Sequence, residues 1–263
     1  QAADTKADRR KHISGDAGFL PWPFEAWECA LPARGGITPA SSFRRLTYPA
    51  MYHSRAIILK KDEWGEADWL VTAFTEQFGK IRLLAQGSRK HGAKLQGHLE
   101  PGSLSDISFV VGRNGYRLTT ARLQVYFPTT RGSWLKFHAA TMVRELLNAN
   151  LFEEHERAPV LFATTAAVLG ALEQSTAASM CRRLVAWFYL RFFTFLGLLP
   201  AGSGWEAERW RLLVDFARQP IGELEPSSVR EQELEAALTD FIAYLGDAVQ
   251  APQSITPSAL ALY

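Results

Sequence analysis

The spacing of apolar residues changes once along the chain, near Pro128, and this change limits the folds that the sequence can adopt. From Met51 to Pro128 the apolar residues alternate in short runs separated by glycines, a pattern typical of β-strands. After Pro128 they recur about every 3.6 residues, the period of an amphipathic helix. The sequence therefore predicts a small β domain followed by a helical domain. The predicted strands are residues 54–60, 69–76, 81–86, 107–111 and 116–126.

Glycine-containing turns connect the predicted strands. Residues 65–68, Gly-Glu-Ala-Asp, separate the first two strands, and Gly87 opens a polar loop that extends to about Gly97. Asn114-Gly115 favours a type I′ hairpin turn, because both central residues of that turn need a positive φ. Five short strands with such turns in about 75 residues predict a closed barrel of the oligonucleotide-binding (OB) kind. The predicted fold class is α+β, with a five-stranded OB barrel at residues 51–128 and an all-helical domain at 129–263.

One segment of the helical half is apolar almost all round. Residues 178–199 include Trp187, Phe188 and Phe192, and a helix that is apolar on every face usually forms the centre of a helical domain. Gly197 and Pro200 are typical of a helix end. This segment is therefore the expected core of the second domain. Other helices are predicted around residues 135–147, 160–169, 206–218 and 229–249.

The first fifty residues show neither period. They begin with Gln1, contain no methionine before Met51, and carry prolines and glycines without a sustained pattern. We expect residues 1–50 to be an N-terminal extension that is either disordered or outside the natural start of the protein. The alternative is that the aromatic cluster FLPWPFEAW docks on a partner or on the body of the protein.

Positive charge is concentrated in the predicted barrel, although 29 basic and 27 acidic residues leave the whole chain at only +2. The segment from residue 80 to 122 carries eight Lys and Arg against Glu100 and Asp106. A surface of this kind attracts a polyanion, with an affinity that falls steeply with salt. The alternative is that these cations are ordinary solvated surface charges. The predicted DNA-binding residues are Lys80, Arg82, Arg89, Lys90, Lys94, Arg113, Arg117 and Arg122.

Two further readings of the barrel stay open. Tyr116 and Tyr126 could stack on bases, although aromatic residues in barrel strands more often belong to the core. The acidic turn formed by Asp62, Glu63, Glu66 and Asp68 could hold a metal as a nuclease would, but a solvated hairpin turn is the favoured interpretation. Residues 87–94 have a Walker-like glycine spacing without its lysine, and no G-x-S-x-G or H-E-x-x-H motif occurs. We predict no catalytic residues and no enzyme activity.

Cysteine content and hydropathy indicate a cytosolic, reduced setting. Cys29 and Cys181 lie too far apart in sequence to form a metal-binding pair, and Cys181 is expected to be a small buried residue on a helix. The most apolar segment, LVAWFYLRFFTFLGLL, is interrupted by Arg191 and falls short of the ~18 apolar residues of a membrane span. We therefore expect a cytoplasmic protein.

The part of the chain from Met51 to Tyr263 resembles the bacterial recombination mediator family RecO. The matching pieces, in order, are AIILKKDEWGEAD, LVTAFTEQFGKI, AQGSRKHGAKLQGHLEPGS and FYLRFFTFLGLLP. The resemblance implies an N-terminal OB barrel, a helical C-terminal domain and a non-catalytic role in DNA repair. It implies binding of single- and double-stranded DNA, annealing of complementary strands, and cooperation with RecR to load RecA onto DNA coated by single-stranded DNA-binding protein.

The resemblance also implies that the helical half binds the C-terminal tail of single-stranded DNA-binding protein. Such an acidic, apolar tail requires a basic residue beside an apolar pocket, and Arg144, Arg182, Arg183 and Arg191 cannot be separated by sequence. One departure concerns zinc, which many family members bind through a cysteine cluster after the central helix. This chain reads LGLLPAGSGWEAERW there, without the Cys or His ligands of a tetrahedral site. We predict no zinc and no other cofactor.

Overall fold

The computed structural model describes residues 50–112, 115–153, 157–197, 207–224 and 231–248. All of them belong to one compact unit of the chain, Thr47–Tyr263. Apart from Ala50, the predicted N-terminal arm lies outside the described residues. The strands are β1 (Met51–Trp64), β2 (Asp68–Thr75), β3 (Gly79–Ala85), β4 (Leu104–Gly112) and β5 (Gly115–Val125). The α-helices are α1 (Pro128–Gly132), α2 (Trp134–Asn150), α3 (Pro159–Gln174), α4 (Ala178–Phe195), α5 (Ala207–Arg218) and α6 (Glu231–Ala248).

The strands close into a barrel in the order β1-β2-β3-β5-β4. Neighbouring strands are antiparallel except β3 and β5, whose short parallel pairing joins Leu83 to Tyr116 and Leu84 to Arg117. β1 is 14 residues long: residues 51–57 pair with β4 and residues 56–64 pair with β2, and the pairing with β2 contains a bulge between Ile58 and Lys60. The predicted OB barrel followed by helices is confirmed.

Alternate residues of each strand fill the interior of the barrel. Phe109 lies at the centre, where its ring contacts the rings of Tyr52, Phe78 and Tyr116 at centroid distances of 5.6, 5.2 and 5.3 Å. Because side chains of a strand alternate between its two faces, the residues between the interior ones point outward. The buried interior residues are Ala56, Ile58, Val71, Ala73, Ile81, Leu83, Ala85, Leu99, Ile107, Phe109 and Leu118.

The helices follow the predicted order with two differences. The short helix α1 was not predicted; it begins at Pro128, whose fixed φ suits the first helical position. α4 ends at Phe195 rather than at residue 199, because Gly197 adopts φ +68° and terminates the helix. α4 is buried on nearly all sides, as expected, and Cys181 is buried on it. None of the helices in the described ranges is long and apolar enough to cross a membrane.

Part of the outer surface of the barrel is covered by the helices. Ile57, Leu59, Phe74 and Leu104 point outward and share one buried core with residues of α2, α3 and α4. The guanidinium of Arg144 on α2 donates to the carbonyl of Leu59 at 2.8 Å, and burial lowers its pKa. The helices therefore leave only part of the barrel surface for other contacts.

Candidate nucleic-acid interface

The uncovered outer surface runs across four neighbouring strands and is called here the outer strand face. Register places Lys60 opposite Thr72 and Thr72 opposite Arg82, and in the next row Leu70 opposite Leu84 and Leu84 opposite Arg117. Because Val71, Ala73 and Leu83 point inward, these residues point outward. The outer strand face is Lys60, Asp62 and Trp64 of β1, Leu70 and the buried Thr72 of β2, Arg82 and Leu84 of β3, and Arg117 of β5.

Three cations of this face are exposed. Lys60 forms an ion pair with Asp62 at 2.8 Å, and Arg82 forms one with Glu153 at 2.6 Å. Arg117 is exposed on β5. Exposed ion pairs are worth little in water, so a phosphate can compete for these cations. Three cations against the two carboxylates that pair with them leave the face one positive charge in surplus.

The loop of residues 87–94 lies beside this face and is fixed at its start. The amide of Gly87 donates to Oδ1 of Asp68 at 2.7 Å, and the amide of Arg89 donates to the carbonyl of Ala67 at 2.9 Å. These bonds tie the loop to the turn between β1 and β2. Lys90 and Lys94 follow the anchored part and are exposed. Their ammonium groups are thus presented to solvent from a fixed base.

Arg89 has a different position from its neighbour Lys90. Its guanidinium contacts the carboxylate of Glu63 at 2.9 Å and the carbonyl of Gly65 at 3.1 Å, and it lies 5.3 Å from the ring centre of Trp69. Lys61 lies 5.0 Å from the same ring centre and pairs with Glu100 at 2.6 Å. Arg89 therefore holds the β1–β2 turn in place.

Lys80 was predicted to contact DNA, but the structure buries it. It is 9% exposed, and its Nζ donates to the carbonyl of Asn148 at the end of α2 at 2.7 Å. Burial lowers the pKa of its ammonium group, against the opposing effect of the nearby Glu153. Because α2 covers this part of β3, the ammonium connects the barrel to the helices and is not available to a phosphate.

The remaining predicted cations are separated from this arrangement. Arg122 is exposed on β5 opposite Asp106, beyond a bulge in the β4–β5 pairing. Arg113 lies outside the described residues, as does Asn114 of the predicted hairpin turn. Gly115 has φ +105° and pairs with Gly112, so a two-residue connection joins β4 to β5. A type I′ turn has the same length.

The acidic turn of the first hairpin is engaged in internal contacts. Asp62 pairs with Lys60, Glu63 with Arg89, and Asp68 accepts the amide of Gly87. Within the described ranges no three His, Cys, Asp or Glu side chains are grouped so as to hold a metal ion. The carboxylates act here as partners of cations and amides. Most of the loop considered for zinc, residues 198–206, lies outside the described residues.

Of the two tyrosines considered for base stacking, one is part of the barrel core and the other is exposed. Tyr116 packs against the barrel core, with its ring on Phe109. Tyr126 is 44% exposed, and the guanidinium of Arg131 lies 4.4 Å from its ring centre. Trp64 was not singled out from the sequence, yet it is 55% exposed at the end of the outer strand face. The alternation Lys60, Asp62, Trp64 was the available signal, but the predicted strand ended at Lys60.

The four arginines considered for partner binding have different surroundings. Arg182 and Arg183 both pair with Glu235, and Arg183 also donates to the carbonyl of Leu224 at 3.0 Å. Arg191 lies over the ring of Trp187 at 4.9 Å. Arg144 lines a surface cavity between the barrel and α2. The other residues lining it are Pro101, Gly102, Tyr126, Phe127, Thr130, Arg131, Phe137, Ala140 and Leu169.

The closed five-stranded barrel, followed by helices, is that of an OB-fold protein. Its outer strand face carries exposed cations. Residues 50–127 match the family described as "Recombination protein O N terminal". Over this N-terminal domain the chain is similar to the RecO family.

Similar proteins support this assignment over part of their length. The chain is 31% identical to "DNA repair protein RecO" of Syntrophomonas wolfei over 147 residues, which are 56% of this chain and 57% of that protein. It is 31% identical over 126 residues to the protein of that name from Cutibacterium acnes, covering 48% and 51%. It is 31% identical over 156 residues to that from Dehalococcoides mccartyi, covering 59% and 60%. The chain thus spans a little over half the length of these relatives.

Proposed function

We propose that this protein is a DNA-binding recombination mediator that acts in DNA repair. In this role it anneals complementary single strands and helps to load a recombinase onto DNA coated by single-stranded DNA-binding protein. The observation that carries the proposal is the exposed cationic outer strand face of a barrel that matches the RecO N-terminal family. The proposed location is the bacterial cytoplasm, where the chromosomal DNA lies.

The proposed DNA contacts are the cations that the structure leaves exposed. Arg82 and Arg117 lie on the outer strand face, Lys90 and Lys94 lie on the adjoining loop, and Arg122 is an exposed cation further along β5, beyond the bulge. Arg113, between β4 and β5, is included from its sequence position. Each cation that contacts a phosphate releases condensed counterions, so binding depends on salt and little on base sequence.

Annealing follows from this surface without a catalytic group. Two complementary strands repel each other through their phosphates, and cations that neutralise part of that charge lower the repulsion. The contacts do not depend on base identity, so the bases remain free to pair. We therefore propose a protein without enzyme activity and without a cofactor.

The helical part, residues 129–263, is proposed to bind protein partners while the barrel, residues 51–128, binds DNA. The expected partners are RecR, the tail of single-stranded DNA-binding protein and, indirectly, RecA. The cavity beside Arg131 and Arg144 holds only about 20 Å³, and both guanidinium groups already donate to backbone carbonyls, so it does not by itself locate the tail. The proposed partner is tested by titrating the tail peptide against the full chain, and an absence of binding would contradict it.

The DNA-binding proposal is tested by strand annealing with the full chain. Complementary oligonucleotides, bare or coated by single-stranded DNA-binding protein, are mixed with the wild type, with Lys90→Glu/Lys94→Glu, or with Arg211→Glu/Arg218→Glu. The last variant makes the same charge change on exposed residues of α5. Two lost phosphate contacts at 0.1 M salt weaken single-strand binding by roughly 25-fold. The loop variant should anneal slowly and the α5 variant normally; equal rates would contradict the proposed surface.

A second candidate is a single-strand-binding adaptor without mediator activity. The same outer strand face supports it, because that face requires only a polyanion. The coated-strand reaction separates the two candidates. Annealing of bare strands that stops when the strands are coated would favour the adaptor, and annealing that continues on coated strands would favour the mediator.

A further inference from the structure

Trp64 exposes a large aromatic surface at the end of the outer strand face. Trp64 is the last residue of β1, opposite Asp68, and is 55% exposed. In the described part of the chain no ring and no cation lies against its indole. Trp69 carries Lys61 and Arg89, Trp187 carries Arg191, and Trp134 is exposed on α2 with one face of its ring stacked on His138. Trp64 is thus an aromatic ring available to a ligand.

The backbone that carries Trp64 is fixed on both sides. Arg89 pairs with Glu63, the residue before it, and donates to the carbonyl of Gly65, the residue after it. The guanidinium of Arg89 is held in turn against the ring of Trp69. Gly65 adopts φ +59°, a left-handed conformation that glycine accepts without strain and that reverses the chain directly after Trp64. The exposed indole therefore projects from a preformed turn.

The immediate neighbours of Trp64 are acidic, but three of the four carboxylates are engaged: Asp62 pairs with Lys60, Glu63 pairs with Arg89, and Asp68 accepts the amide of Gly87. Lys60, Asp62 and Trp64 lie on the same side of β1 because side chains alternate along a strand. Each is about 7 Å along the strand from the next. Leu70 and Leu84 supply apolar surface in the next strands, and Arg117 continues their row. An unpaired nucleotide offers a phosphate and a free aromatic face together, whereas the bases of a duplex are already stacked on each other.

We propose that Trp64 is a base-stacking residue that holds an unpaired nucleobase of single-stranded nucleic acid on the outer strand face. The inference rests on the proposed DNA-binding function and adds to it a contact that distinguishes single strands from duplexes. Lys90, Lys94 and Arg117 contact phosphates on both kinds of DNA, while Trp64 contacts a base only where the strand is open.

The test compares Trp64→Ala and Trp64→Phe with Trp134→Ala in the full chain. Trp134 is 79% exposed on α2 and is the matched control for loss of an exposed indole. Affinity is measured by fluorescence anisotropy for a single strand, a duplex of the same length, and an abasic single strand, each at several salt concentrations. Circular dichroism and urea unfolding check that the variants are folded.

The expected result is specific to bases. Trp64→Ala weakens single-strand binding about tenfold, at the same salt slope, and leaves duplex and abasic-strand binding unchanged. Trp64→Phe restores most of the affinity because a phenyl ring still stacks, and Trp134→Ala has no effect. The inference is overturned if Trp64→Ala binds the single strand normally, or weakens all three ligands equally.

Failure of the inference is separate from failure of the proposed function. If the wild type binds DNA and Lys90→Glu/Lys94→Glu weakens it while Trp64→Ala does not, only the stacking role is lost. If the folded wild type binds none of the three ligands at low salt, the proposed function is lost and the stacking role with it.

Discussion

Glu173 fixes the start of the helical part, and its removal gives a stability change that can be worked out in advance. Its carboxylate at the end of α3 accepts the amide of Thr129 at 2.8 Å and the amide of Thr130 at 2.7 Å, both in α1. Burial alone raises the pKa of Glu173, but these hydrogen bonds outweigh burial and lower the pKa from 4.5 to about 2. The charged carboxylate is therefore the form that stabilises the fold.

The size of the effect follows from the pKa shift. A fall from 4.5 to about 2 corresponds to roughly 3 kcal/mol for a fully shielded group. Glu173 is half-buried, so solvent screening reduces this to about 1–2 kcal/mol. Because the folded pKa lies below the unfolded value, the stabilisation is complete above about pH 5 and is lost as the pH falls towards 2.

The perturbation is Glu173→Gln, measured by urea unfolding between pH 7 and pH 3. At pH 7 we expect the variant to lose about 1–2 kcal/mol, and the difference from wild type should shrink steadily below pH 5. Asp215→Asn, an exposed carboxylate in α5, is the control and should change stability by less than about 0.5 kcal/mol. A Glu173→Gln loss that stays constant down to pH 3 would refute the role of the charge.

Three further predictions concern single residues. Lys80→Met should lower the free energy of unfolding by about 1–2 kcal/mol, because the hydrogen bond to Asn148 is lost. It should leave the salt slope of DNA binding unaltered, and an altered slope would show that Lys80 contacts a phosphate. Arg89→Gln should lower unfolding stability by about 1–2 kcal/mol, whereas Lys90→Gln should leave stability unchanged and reduce the single-strand salt slope by about 0.7; the reverse pattern would exchange their roles. Phe188→Ala, at the fully buried centre of α4, should cost about 3–5 kcal/mol in thermal or urea unfolding, and a loss under 1 kcal/mol would contradict its core position.

Most of the fold follows from patterns that the sequence displays. Alternation and glycine turns predicted the strands, and the 3.6-residue period predicted α2, α3 and α4. The extent of β1 was missed because residues 61–64 are mostly polar or charged, and their strand conformation depends on pairing with β2. The parallel contact of β3 with β5 that closes the barrel is a long-range pairing that no local pattern records.

The candidate site was less predictable, because identical local patterns have different surroundings. Lys80 and Arg82 are two residues apart on the same side of β3, yet α2 covers Lys80 and leaves Arg82 exposed. Arg89 and Lys90 are neighbours in one loop, but only Arg89 reaches Glu63 and Gly65. Such differences arise from tertiary packing, so charge counting locates the region and not the individual contacts.

The most direct test of the central claim is the salt dependence of single-strand binding by the full chain. Fluorescence anisotropy gives the slope of log affinity against log salt for the wild type and for a variant with Gln at four exposed cations of the proposed surface. These are Arg82, Lys90, Lys94 and Arg117. With about 0.7 per phosphate contact, we expect the slope of the variant to be shallower by roughly 3. An unchanged slope in the folded variant would contradict DNA binding by the outer strand face and its loop.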